Sequence, residues 1–167
     1  MQIICHYHFV KDLGKDISRD YDQFRSSMVA TKALARISSI NMPENGSGIT
    51  YAEKIWAEIA SEYILYPRNI PSKYPFVLPY FDVLGRCMEI QGMLKNIIKW
   101  NASHMKMIRE VQDLDTSVDR ITHDEMVMEG YRILSRTWAW FESIRKALRV
   151  SRELSSSGSD GKPISIE

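Results

Sequence analysis

The sequence predicts an all-α fold: an antiparallel bundle of four to five helices, with a short extended N-terminal arm and a disordered C-terminal tail. Three observations predict it. Apolar residues recur at helical spacing from Ile17 to Leu148. Thr50-Tyr-Ala-Glu53 and Thr122-His-Asp-Glu125 both have the Thr-x-x-Glu form of a capping box, in which hydroxyl and carboxylate satisfy backbone donors that a helix start leaves open. Alternating, β-type patterning is confined to the first ten residues. At 167 residues, 44% hydrophobic and 26% charged, the chain is long enough to bury one core without disulfides or metal. The expected division is an arm at 1–14, a bundle domain at 15–154 and a tail at 155–167.

In the arm, Ile3, Cys5, Tyr7 and Phe9 alternate with Gln2, His6 and His8. A lone strand has no partner in such a chain, so it reads as an arm that pairs with another molecule. The first helix follows, with Asp16 as N-cap, an apolar stripe through Ile17, Tyr21, Phe24, Met28, Ala35 and Ile37, and no Pro or Gly from Asp16 to Ser39, where it is expected to end. Residues 41–49 are turn chemistry. The box at Thr50 opens a second helix whose face is Ala52, Ile55, Trp56, Ile59 and Tyr63, and which stops before Pro67.

Pro67, Pro71, Pro75 and Pro79 then recur every four residues. Each removes a backbone donor and extends its predecessor, so the segment is a stiff crossover or an exposed strip presenting Tyr74, Phe76 and Tyr80. Pro79 suits the first turn of a third helix, whose seam is Val83, Cys87, Ile90, Leu94 and Ile97. Gly85 and Gly92 lie on one line of that helix. Close approach of a neighbouring helix or subunit accounts for them, and so does mere tolerance at roughly 1 kcal/mol each. Ser103 caps a fourth helix to about Val118. The box at Thr122 opens the longest helix, with the stripe Val127, Tyr131, Leu134, Trp138, Phe141, Ile144 and Leu148. The third and fifth helices carry the strongest seams and are expected at the centre. From Ser155 on, low hydrophobicity with Ser, Gly and Pro predicts disorder.

The chemistry-bearing patterns are thin. Asp113, Asp115, Ser117 and Asp119 alternate as in the opening of a calcium loop, but Val118 stands where that loop needs Gly and Asp124 where it needs Glu. No Glu-x-x-His, nucleophile elbow or phosphate loop occurs. Cys5, His6 and His8 lack further ligands nearby. The expectation is therefore a non-enzyme with no metal or cofactor and no small-molecule substrate. Two cysteines far apart, a start without a basic signal region and the lack of a long apolar run lead to an expected cytoplasmic location, away from membranes.

Net charge is +1, which disfavours tight non-specific nucleic-acid binding by the whole domain. The last helix is the exception: residues 126–154 hold six cations against three acids, with Trp138, Trp140 and Phe141 among them. Arg145, Lys146, Arg149 and Arg152, with Lys95, Lys99 and Lys106, are the candidate contacts to nucleic acid or an acidic partner. The candidate protein interface is Tyr74, Phe76, Tyr80, Gly85, Gly92 and Trp140. The expected function is association, as a self-assembling subunit or adaptor with homo-oligomers expected. The alternative is an RNA- or DNA-binding helical module.

Ile70-Pro-Ser-Lys73, Phe76-Val-Leu78, Ile108-Arg109 and Trp138 to Trp140 are loosely similar to small four-helix proteins, namely diversity-generating retroelement accessory proteins and ribosomal intervening-sequence proteins. The similarity spans about residues 70–154. It departs from that pattern at Pro79, where Gly is expected, and it carries no function over to this chain.

Overall fold

The computed structural model describes residues 6–40, 48–72, 77–101 and 108–147. They form six helices: α1 (His6–Ala30), α2 (Ala33–Ile37), α3 (Gly48–Leu65), α4 (Pro79–Asn101), α5 (Arg109–Thr122) and α6 (Glu125–Ala147). A single 3-10 turn, Tyr66–Asn69, follows α3 with Pro67 at its start. The fold is all-α, and no strand forms among the described residues. Residues 1–5 of the expected arm and the expected tail at 155–167 lie outside the described residues.

The first correction concerns the arm. Residues 6–14 are the opening turns of α1, not an extended strand. A period-2 pattern over so few residues cannot outvote the continuous helix that follows, because each added turn needs no new nucleation. Asp16 therefore lies inside α1.

A second correction concerns its end. The expected single helix to Ser39 is two, broken at Thr31 and Lys32 without Gly or Pro. The Thr31 hydroxyl donates to the Met28 carbonyl at 2.7 Å and accepts the Ala33 amide at 3.2 Å. Lys32 takes a left-handed backbone conformation, φ 59°. A side chain has replaced the helical ladder locally, as Thr is able to do.

The two capping boxes resolve differently from expectation. Gly48, at φ 82°, precedes Thr50, so Thr50 sits within the first turn of α3. Thr122 ends α5: its hydroxyl donates to the Val118 carbonyl at 3.0 Å and accepts from Gln91 Nε2 at 2.9 Å. The N-cap of α6 is Asp124, whose Oδ1 accepts the Val127 amide at 3.0 Å.

The helices pack as two joined parts. α4 contacts α3, the 3-10 turn and α5, and α5 also covers α2 and α3. α6 packs chiefly on α1. The α1–α6 pair is antiparallel, because Phe24 meets Gly130 while Asp20 meets Thr137. α4 thus stands at the centre of the body, as expected. α6 does not, and instead builds a paired stem with α1.

An aromatic junction joins stem to body. Phe81, in the first turn of α4, sits edge-on to Phe24 at 6.5 Å and stacks on Tyr131 at 5.0 Å. Beside it the Tyr80 amide donates to the Tyr21 hydroxyl at 2.9 Å. Burial raises the Tyr21 phenol above its ordinary range, against the lowering effect of this hydrogen bond, so it stays protonated as the acceptor of that amide. Pro79 opens α4 where its missing amide costs nothing. The core runs from Ile17, Tyr21, Phe24 and Met28 through Ile64, Leu84, Leu94 and Leu114 to Ile121 and Leu134, all fully buried.

Candidate functional site

The described candidate cations do not form one patch. Phe81 of α4 lies against Tyr131 of α6, and Gln91 of α4 lies against Thr122, just before α6 begins. The two helices therefore run in opposite directions from that junction. Lys95 and Lys99 are fourteen and eighteen residues beyond Phe81, and Lys146 is fifteen beyond Tyr131. At about 1.5 Å per residue these groups sit roughly 20 Å from the junction on opposite sides. Lys95, Lys99 and Lys146 are exposed. Arg145 lies in α6, while Lys106, Arg149 and Arg152 lie outside the described residues.

The alternating acids at 113–119 lie on α5, not in a loop. Asp113 pairs with Arg109 at 3.5 Å and Asp119 with His123 Nδ1 at 2.9 Å. Burial, then the neighbouring Asp119 charge, raises the Asp115 carboxyl above its usual range. No group of three or more His, Cys, Asp or Glu side chains is placed to hold a metal ion among the described residues. Cys87 is a buried thiol that desolvation pushes up to about 12. Its thiolate fraction near neutrality is negligible, so it is packing, not a nucleophile.

What the structure does display is apolar surface, gathered on two faces. The first is the outer edge of α3 against α4. The helices are antiparallel here, with Tyr63 beside Glu89 and Trp56 beside Asn96 and Ile97. Ile59, Tyr63, Tyr66 and Met93 are exposed along this edge. The Arg86 guanidinium lies over the Tyr63 ring at 4.4 Å and the Tyr66 ring at 5.5 Å, and it donates to the Tyr63 carbonyl at 2.6 Å. Tyr63 donates to Glu89 at 2.5 Å; that bond, with lesser burial, raises its phenol. Arg86 thereby contacts both tyrosine rings at the surface. Further along the same edge, Ile49, Ala52, Trp56, Ile97 and Val111 line an open apolar groove of about 440 Å³. On the α2 side of α3 a second hollow of about 470 Å³ meets Glu58, whose Oε2 is buried with no hydrogen-bond partner among the described residues.

Sequence periodicity is half right for this helix. Of the expected face, Trp56 packs partly buried against the core and Ile55 is half-buried, while Ala52, Ile59 and Tyr63 are exposed. The buried positions are Ala57, Ala60, Ser61 and Ile64. Three of these are small, so their hydrophobic signal is weaker than that of Ile59 and Tyr63, which face out. The discernible clue is that α3 carries more apolar residues than one face can bury.

The second face is on α6. Met126, Ile133 and Trp140 are 65%, 41% and 70% exposed. They are spaced seven residues apart and so lie on one line along the helix. Trp140 was an expected interface residue and is the most exposed of the large hydrophobic side chains described. Of the others, Tyr80 is half-buried at the aromatic junction with Arg25 over its ring at 5.5 Å. Tyr74 and Phe76 lie outside the described residues. A Cβ added at Gly85 or Gly92 would meet nothing within 4 Å. Among the described residues nothing approaches them closely. The glycine that does lie under a neighbour is Gly130, 3.3–3.4 Å from Phe24.

Among the described residues no helix is long and apolar enough to cross a membrane. No protein family, curated protein or solved structure matches this chain.

Proposed function

We propose that this protein is a non-catalytic association module of the cytoplasm, a self-assembling subunit or adaptor that binds other proteins through its helical faces. The observation that carries the reading is the grouping of exposed apolar side chains. Single exposed hydrophobics are ordinary, whereas contiguous apolar surface is rare on monomers and marks interaction sites. The α3–α4 edge combines Ile59, Tyr63, Tyr66 and Met93 with a groove, and its tyrosines are contacted by Arg86. Tyr and Arg are the residue types enriched at binding hot spots.

The test is the mass of the particle purified from its own source. Association predicts a mass above the 19.4 kDa of one chain. Ile59→Asp with Tyr66→Ala, both exposed and so expected to fold, should reduce that mass when this edge is the contact. A particle of one chain at every concentration, with nothing co-purifying, refutes the reading. The nucleic-acid alternative keeps Arg145, Lys146, Arg149 and Arg152 as its contacts; of the other candidates, Lys95 and Lys99 lie on the opposite side of the junction from Lys146, and Lys106 lies outside the described residues. A gel shift lost in moderate salt and abolished by changing those four residues to Ala is its test.

A further inference from the structure

Two observations on α6 converge. One is the exposed line Met126, Ile133 and Trp140, which spans about 21 Å of helix at 1.5 Å per residue. The other is the charge between its apolar residues. On the same exposed face, Glu129 lies between Met126 and Ile133, and Arg136 between Ile133 and Trp140. The face therefore reads apolar, acid, apolar, base, apolar. That pattern is symmetric about Ile133 in hydrophobicity and antisymmetric in charge.

We propose that this face binds a second copy of the chain, with the two α6 helices antiparallel about a two-fold axis at Ile133. This rests on the association reading and names its partner. Reversing one helix about Ile133 sets Met126 against Trp140 of the second copy, and Ile133 against its own counterpart. It also brings Glu129 within one residue's rise of the partner copy's Arg136, twice by symmetry. This is the self-complementarity that an isologous interface requires. Parallel pairing opposes Glu129 to Glu129 and Arg136 to Arg136, so charge selects the antiparallel arrangement. Arg136 makes no ion pair among the described residues and is available for this contact. Glu129 is bonded to Arg132 at 2.7 and 2.9 Å, which, ahead of any burial effect, lowers its carboxyl and keeps it charged. Since α1 covers the adjoining side of α6, the dimer is an antiparallel four-helix arrangement of two stems.

Sedimentation velocity on the full chain, over roughly micromolar to hundred-micromolar concentrations, tests the proposal. A monomer–dimer equilibrium is expected. Ile133→Asp should weaken it at least about 30-fold, the loss of one hot spot. Glu129→Arg and Arg136→Glu should each weaken it, and the two together should restore it. Trp140→Ser, which is exposed, keeps the test open should Ile133→Asp fold poorly. Spin labels at position 126 on the two copies should lie more than about 20 Å apart, against roughly 10 Å for parallel pairing. A strict monomer, a dimer indifferent to Ile133→Asp and Trp140→Ser, or a double swap no better than the single ones overturns the proposal. A chain that is monomeric when purified alone but part of a larger particle in its source overturns the dimer while leaving the association reading intact.

Discussion

Gly85 and Gly92 on α4 are informative because the chain offers an internal control. Each sits within a helix, where Gly is about 0.8–1.0 kcal/mol less favourable than Ala. A Cβ at either position meets nothing within 4 Å, so no packing cost opposes the gain. Gly85→Ala and Gly92→Ala should each stabilise the chain by nearly the full amount, and together by about 2 kcal/mol. For a chain of this size, that is a rise in melting temperature of about 4–8 °C. Gly130→Ala is the control. Its Cβ would stand 3.3 Å from Phe24 Cδ2 and 3.4 Å from Phe24 Cα. Phe24 is fully buried and held edge-on to Phe81, so it cannot swing aside, and part of the contact is backbone. Overpacking typically costs about 1–3 kcal/mol, which cancels or reverses the helix gain. Urea denaturation followed by circular dichroism, with thermal melts alongside, measures all three. Gly130→Ala as stabilising as the other two refutes the packing argument. Gly85→Ala or Gly92→Ala that destabilises shows the α4 face to be covered in solution, the interface that the sequence pattern anticipates.

Asp124→Ala should cost about 1 kcal/mol in urea melts by removing the N-cap of α6, because the Val127 amide loses its acceptor. Lys32→Gly should stabilise by up to about 1 kcal/mol in the same assay, since φ 59° is strained for any residue with a Cβ. Burial tends to raise the Glu110 carboxyl, but its own backbone amide at the start of α5 and Lys54 at 3.1 Å outweigh this and hold it below its ordinary value. A lowered folded-state value gives stability that is present above the unfolded value and lost as pH falls through the folded one. Glu110→Gln should therefore cost about 0.5 kcal/mol at pH 7, the pair being partly exposed, and the deficit should vanish in acid. Asp115 has the opposite sign: its raised carboxyl favours the protonated fold, so Asp115→Asn should be neutral to stabilising at pH 7 and lose that advantage in acid.

Burial followed the pattern closely where helices bury large residues. Val83, Cys87, Ile90 and Leu94 of α4, Val111, Leu114 and Val118 of α5, and Val127, Leu134 and Phe141 of α6 are all buried as their spacing predicts. The cap at α6 was misread by two residues because Thr122 and Asp124 are both good caps. The structure shows Thr122 engaged elsewhere, with the Val118 carbonyl of its own helix and with Gln91 of α4. The break at Thr31 was invisible because the deciding bond is one that any helical Thr is able to make.

The exposed α6 face was half legible. Trp140 was anticipated, while Met126 and Ile133 were not, since apolar residues in a helix are assumed inward until a neighbour is known. The class, the places of the later helices and most core positions are legible before any tertiary contact is known, because these depend on local period and on residues that cannot be hydrated cheaply. Which helices pair was decided by tertiary structure alone. α1 pairs along α6, where Gly130 lets Phe24 approach, and meets the first turn of α4 at Phe81 and Tyr80. α3 turns Ala57, Ala60, Ser61 and Ile64 inward and leaves Ile59 and Tyr63 outside, because its neighbours α4 and α5 decide which side is covered, and no measure of hydrophobicity along the chain contains that.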